Sequence, residues 1–326
     1  MSDSVHMAPE EARLAHFPVT FFATVMGLAG LTLALHLSAE RFGMGAGLAQ
    51  VALWLTVTDF LAVAGIYGVK FLQHRAAVTA EWGHPVKMAF FPAMSISLML
   101  IGTALRAEFE AVARVVWLIG AGLQIVLFLS VMSGWIGRRS FQPMHISPAW
   151  FIPAVGNVVA PIAGVPLGFV ELSWLFFATG LTFWIVLLTL VMNRLIFHDP
   201  LPGRLYPTLV ILIAPPAVGF LAWLSLNGGV LDAFARVLFY AAVSFAGVVL
   251  MQVPALMRLP FALSWWALSF PVAALTVATL RFGALAGSGA HDLAGGALLA
   301  LLVALVAGLI WRTGLGAARG EICRPE

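Results

Sequence analysis

Charge is scarce in this sequence. Only 10% of its 326 residues are Asp, Glu, Lys or Arg, while 62% are hydrophobic, a balance that cannot solvate the surface of a soluble protein of this size. Cysteine is almost missing, and the single Cys323 excludes an internal disulfide. The eight histidines are scattered, with no Cys/His spacing that would hold a metal. A glycine loop able to cradle phosphate, a nucleophile elbow and a soluble catalytic domain are all lacking. The sequence therefore points to no enzyme, no metal and no cofactor.

Long apolar runs fill the space those absences leave. Ten are read, at 17–37, 51–72, 88–105, 111–136, 148–165, 171–193, 207–227, 233–253, 261–280 and 293–312, each reaching or approaching the roughly 20 residues a helix needs to cross the hydrocarbon core. Short connections make neighbouring helices antiparallel hairpins. The expected organisation is an N-terminal segment 1–16, a ten-helix membrane domain 17–312 and a tail 313–326.

Proline divides the runs into two kinds. Pro92 lies in the third, Pro153 and Pro161 in the fifth, Pro215 and Pro216 in the seventh, and Pro271 in the ninth. The first carries Pro18 at its start, then Gly27 and Gly30; among the even runs only the eighth holds a proline, Pro254, at its end. Proline inside a helix removes a hydrogen bond and bends it, which a bilayer tolerates only where the freed groups are buried in protein or face water. The odd helices are thus expected to be bent and inner, with Pro92, Pro153, Pro161, Pro215 and Pro271 as bending points around a central pore, and the even helices straight and outer.

Basic residues set the expected orientation. With the N-terminus cytoplasmic, twelve of the 17 Lys and Arg fall inside, among them Lys70, Arg138, Arg139, Arg194 and Arg324, while Arg41, Arg106, Arg114, Arg236 and Arg281 fall outside. Both termini are expected in the cytoplasm. The acidic leader (Asp3, Glu10, Glu11) and the long first run do not read as a cleavable signal. The net charge of +3 reports this bias and implies no nucleic acid.

The inner runs hold almost nothing ionisable. No Asp, Glu, Lys, Arg, His, Tyr or Cys occurs in 17–35, 88–105, 148–165, 207–227 or 261–280, whereas coupled transporters place such groups on the transport path. A passive conduit follows. Phenylalanines are present instead, and apolar rings at a constriction close a pore by dewetting it. Phe22, Phe91, Phe151 and Phe220, all on odd helices, are candidates for narrowing the pore, and Phe270 stands directly before Pro271. Freed N–H groups favour anions and freed carbonyls favour cations, so the backbone alone leaves the sign open. Asp59 sits mid-membrane in an outer run, expected to face the bundle and bond a neighbouring helix. Glu171, opening the sixth run, is expected to help shape an external vestibule. Lys70, His74 and Arg75 are expected to snorkel toward headgroups.

These motifs resemble a known family. His84-Pro85-Val86-Lys87 with Phe90-Phe91-Pro92, Ser147-Pro148 with Pro153-Ala154-Val155 and Asn157, and Trp266-Ala267-Leu268-Ser269-Phe270 are the main ones. Pro18, Phe22, Gly27, Leu28, Leu212 to Pro215 and Leu224-Ser225-Leu226-Asn227 extend the match along the chain. Together they resemble the TehA-like proteins of the tellurite-resistance/dicarboxylate transporter family, which includes the plant slow anion channels. The resemblance implies five hairpins in quasi-fivefold array, a homotrimer with one pore per subunit, and a ninth-helix phenylalanine, here Phe270, plugging the pore. Pro271 is a departure, because some relatives carry glycine there; the short termini also lack the plant channels' long regulatory tails. The expected activity is a gated, passive channel of a bacterial-type inner membrane for small anions such as chloride and nitrate. The alternative is transport of C4-dicarboxylates such as malate, or of sulfite- or tellurite-type oxyanions.

Overall fold

A computed structural model describes residues 13–137 and 141–323. Arg138, Arg139, Arg324 and the acidic residues Asp3, Glu10 and Glu11 lie outside these residues. The described chain is all-helical, with eleven α-helices: α1 Phe22–Phe42, α2 Gly47–Gln73, α3 Arg75–Gly83, α4 Ala93–Leu105, α5 Glu110–Gly137, α6 Phe151–Gly164, α7 Val170–Phe197, α8 Ala214–Leu226, α9 Ala233–Leu256, α10 Ser269–Ala286 and α11 Gly289–Ala318. Among the described residues nine helical segments are long and apolar enough to cross a membrane, and a tenth, Pro148–Gly164, is shorter.

Burial separates two classes. In the most apolar stretch of each outer helix (α2, α5, α7, α9, α11) 28–39% of residues are buried, against 61–83% in the segments containing α1, α4, α8 and α10. In α6 every residue but Ile162 is buried. Each outer helix packs on the inner helix before it in the chain, and the inner helices close a ring: α1 on α4, α4 on α6, α6 on α8, α8 on α10 and α10 on α1. Small residues permit these approaches. A side chain at Gly120 would meet Leu98 and Met99 of α4, and one at Gly180 would meet Val158 and the Ala154 carbonyl of α6.

The prolines do their work at a place other than the helix interior. All five inner segments begin as 3₁₀-helix (Val19–Phe21, Lys87–Phe90, Pro148–Trp150, Tyr206–Ile213, Leu263–Leu268) and then widen into α-helix. Pro92 precedes α4, and Pro153, Pro215 and Pro271 occupy the first turns of α6, α8 and α10. First-turn N–H groups have no partner within an α-helix, so proline costs little there. Of the five expected bending points only Pro161 lies well inside a helix.

Buried polar groups tie the layers together. Gln124 of α5 is fully buried; its Nε2 donates to the Pro153 carbonyl (2.9 Å), and its Oε1 accepts from Ser95 Oγ (2.7 Å). Asn157 Nδ2 donates to the same carbonyl at 3.1 Å. In the α8–α9 turn, Asn227 Oδ1 accepts from the Gly229 and Val230 N–H groups. Asp232 caps α9 by accepting from Ala235 N at 2.8 Å. That bond first, with others from Trp223 and Asn227, holds the Asp232 carboxyl below its ordinary range.

Candidate functional site: an apolar constriction and its vestibule

Two cavities lie inside the ring of inner helices. The smaller, about 30 Å³, is walled by apolar residues at the 3₁₀-to-α junctions, and each segment contributes a pair three residues apart: Ala23 and Met26, Phe90 and Ala93, Ile152 and Val155, Ile211 and Ala214, Ala267 and Phe270. Residues at this spacing share a helix face, so five equivalent faces converge. The space is that of about one water molecule, and an apolar wall gives that water no partner.

The larger cavity, about 370 Å³, lies among the C-terminal halves of the inner helices. Its wall includes Leu100, Ile162, Val218 and Ala274 deep down, and His36, Glu40, Arg106 and Arg281 among its polar groups. Phe270 is the one residue that lines both cavities. The residue is 7% exposed and borders both spaces. Its place is set by α1: a Cβ at Gly30 would lie 2.6 Å from Ala273 Cβ and 3.6 Å from Phe270 Cδ2. Gly30→Ala is therefore expected to force α1 and α10 apart and lower stability by about 1–3 kcal/mol, the usual cost of overpacking. Adding Ala273→Gly should restore the thermal midpoint, and failure of that rescue would reject the contact as the cause.

The other phenylalanines lie elsewhere. Phe22, Phe91, Phe151 and Phe220 line neither cavity. Phe22 stands edge-on to Tyr67, and Phe91 edge-on to Trp82 with centroids 4.8 Å apart. Phe220 contacts Phe239 and Phe282, and Phe151 is fully buried. The adjacent Phe90, not Phe91, faces the constriction. Glu171 is in the first turn of α7 and is not among the residues lining the vestibule.

Asp59 is half-buried and bonds inward, with Thr24 Oγ1 2.6 Å from its Oδ2. The same hydroxyl lies 2.8 Å from the Phe21 carbonyl, so one hydroxyl proton faces two acceptors. An asparagine supplies its own donor to Thr24. Asp59→Asn should thus leave both stability and the reversal potential of anion currents near those of the native protein. A reversal shift of tens of millivolts would place the carboxylate on the permeation path.

Lys70 corrects an expectation: it does not snorkel. Its side chain is 1% exposed, and Nζ lies 2.9 Å from Glu81 Oε2 and donates to the Phe17 carbonyl at 2.8 Å. His74 Nε2 is buried with no hydrogen-bond partner, and Arg75 lies over the Phe71 ring. Sequence reading had no signal for the Lys70–Glu81 pair, because the two residues lie on different helices. It also passed over the paired small and apolar residues of the constriction, although their common three-residue spacing was there to read.

The sequence is similar to those of known proteins. The S-type anion channel SLAH3 of Arabidopsis thaliana is 26% identical over 277 residues, covering 82% of this chain and 43% of the relative. The guard cell S-type anion channel SLAC1 of the same plant is 26% identical over 280 residues, covering 82% of this chain and 50% of the relative. This chain thus spans about half the length of these plant relatives. The tellurite resistance protein TehA homolog of Haemophilus influenzae is 27% identical over 273 residues, which cover 81% of each chain. The family described as voltage-dependent anion channel (SLAC1) matches residues 16–314. The chain belongs to this family of multi-pass membrane anion channels and transporters, which is not an enzyme class.

Proposed function

We propose that this protein is a gated, passive channel for small monovalent anions such as chloride and nitrate, occluded by the Phe270 ring. The observation that carries the reading is the position of that ring, shared by the vestibule and the constriction. No charged residue lines the constriction, so an anion finds no fixed countercharge there. Its passage is governed by the cost of losing water, which is large for small ions. Anions that dehydrate easily pass first, and nitrate is expected to be favoured over chloride. Aromatic edges carry partial positive charge, which makes the Phe270 and Phe90 rings less hostile to an anion than aliphatic walls. The protein works as a homotrimer in a bacterial-type inner membrane, with both termini in the cytoplasm and one pore per subunit.

A second reading, carriage of C4-dicarboxylates or tellurite-type oxyanions, draws on the relative named for tellurite resistance. The two readings differ in saturation. Purified protein in planar bilayers should pass currents that reverse near the chloride equilibrium potential and keep rising with chloride concentration well beyond the physiological range. Saturable malate uptake into vesicles, without chloride current, would replace the channel with a carrier.

A further inference from the structure

Five arginines lie toward the end of the molecule where the inner helices terminate: Arg41, Arg106, Arg114, Arg236 and Arg281. Three of them are engaged. Arg41 forms a two-point ion pair with Asp292, Nε to Oδ1 at 2.9 Å and the terminal nitrogen to Oδ2 at 2.5 Å. Arg114 pairs with Glu110 at 3.3 Å and lies over the Phe169 ring. Arg236 lies over the Phe282 ring, 5.7 Å from its centroid. None of these three lines the vestibule.

The remaining two do line it. Arg106, at the end of α4, and Arg281, on α10, reach the cavity from different inner helices. Neither has a hydrogen bond or ion pair with any described residue. A third donor is close at hand: His36 lines the same cavity, and its Nε2 is buried without a hydrogen-bond partner. Glu40 is the one carboxylate of the wall, so the charge of the lining side chains stays positive. Outside the cavity two arginines are held by carboxylates and one by an aromatic ring, and the arginines inside it are left open. A cation at a helix C-terminus also complements the helix dipole, which accounts for Arg106 as the residue ending α4. It gives no reason for Arg281 to face the same cavity or for His36 to be left unpaired there.

We infer that the vestibule is an anion-binding site in which Arg106 and Arg281, assisted by His36, hold small anions at its mouth, on the side away from the constriction. The guanidinium presents paired N–H donors in a plane, so planar oxyanions such as nitrate bind better than a halide. The site concentrates permeant ions before an apolar constriction that cannot bind them, dividing capture from passage along one path. It rests on the channel reading for its purpose, and binding itself can be measured without conduction.

The test is chloride-35 NMR line broadening on the purified full-length protein in neutral detergent. The native protein should broaden the chloride signal, and nitrate should reverse that broadening at lower concentration than added chloride does. Arg106→Gln and Arg281→Gln should each weaken binding roughly threefold, and both together roughly tenfold, as expected for charge pairs open to water. Lysine at both positions should retain chloride binding and lose the preference for nitrate. Phe270→Ala should leave the broadening in place. Unchanged broadening in the double glutamine variant, with a native thermal transition, would overturn the site. In bilayers the double variant should pass less current than the native protein at low anion concentration, with the difference narrowing as the concentration rises, and an unaltered concentration dependence would also count against it. Broadening in the native protein that is lost in the double glutamine variant, with no current from any form, would leave the site standing and remove the channel reading.

Discussion

Phe270→Ala should raise anion conductance by at least roughly tenfold, which corresponds to a barrier lowered by about 1.4 kcal/mol. The ring is the single side chain common to a vestibule of about 370 Å³ and a constriction of about 30 Å³. On the proposed channel reading, removing it joins the two spaces and lets water follow the ion, so desolvation at the constriction no longer has to be complete. The rest of the constriction stays apolar and uncharged, and the order of anion preference should therefore persist while the magnitude rises. Truncating a buried phenylalanine usually costs about 3–5 kcal/mol; a ring with cavities on both sides has fewer partners to lose, and the cost here should fall near the lower end. Phe270→Leu retains bulk at the same place and should give an intermediate conductance. The measurement is macroscopic current per amount of purified protein in planar bilayers, with a thermal transition recorded for each variant. Native-level current in a folded Phe270→Ala protein would remove the ring from the permeation path.

The outcome depends on how α10 is placed, and most of that placement was legible in the sequence. The near-absence of charge fixed the solvent as lipid, and the alternation of proline-bearing and proline-free runs separated inner from outer helices before any contact was known. What proline marked was less obvious. In four of the five inner segments it stands at or beside the change from 3₁₀ to α-helix, in or just before a first turn where its missing N–H is harmless. Residue type misled in a different way. Phenylalanine is useful both for closing a pore and for filling space between helices, and one position along a helix turns the ring by about 100°. Phe90 faces the constriction, whereas Phe91 packs on Trp82 and Tyr67. Only the repeated three-residue pair at each junction separates the two uses. Long-range polar partners such as Gln124 with Pro153 carry no local pattern at all, since their meeting depends on the ring being closed.

Glu81→Ala should be the most damaging single substitution for stability, at about 3–5 kcal/mol, because it leaves a buried ammonium without its counter-ion. Lys70 is 1% exposed and Glu81 7%. Lys70 Nζ would keep only the Phe17 carbonyl, and Tyr67 Oη, which donates to Glu81 Oε2 at 2.9 Å, would lose its acceptor. The pair links α2 to the short α3 and to the chain just before the first inner segment, so its loss loosens three elements at once. Tyr67 carries the effect inward through its edge-on contacts with Phe22 and Phe91. Burial of two charges is costly in itself, and replacing the whole group by apolar residues of similar size is often neutral or stabilising by about 1–4 kcal/mol. The triple variant Lys70→Met, Glu81→Leu, Tyr67→Phe should therefore unfold at or above the native temperature, although it contains the substitution of both charged partners. Thermal unfolding in detergent of the single, double and triple variants decides the matter. Additive losses would mean that the three groups act independently and that water reaches Lys70. Strong non-additivity, with recovery in the triple variant, would establish that the pair specifies how α3 seats beneath the inner helices rather than supplying net stability to the bundle.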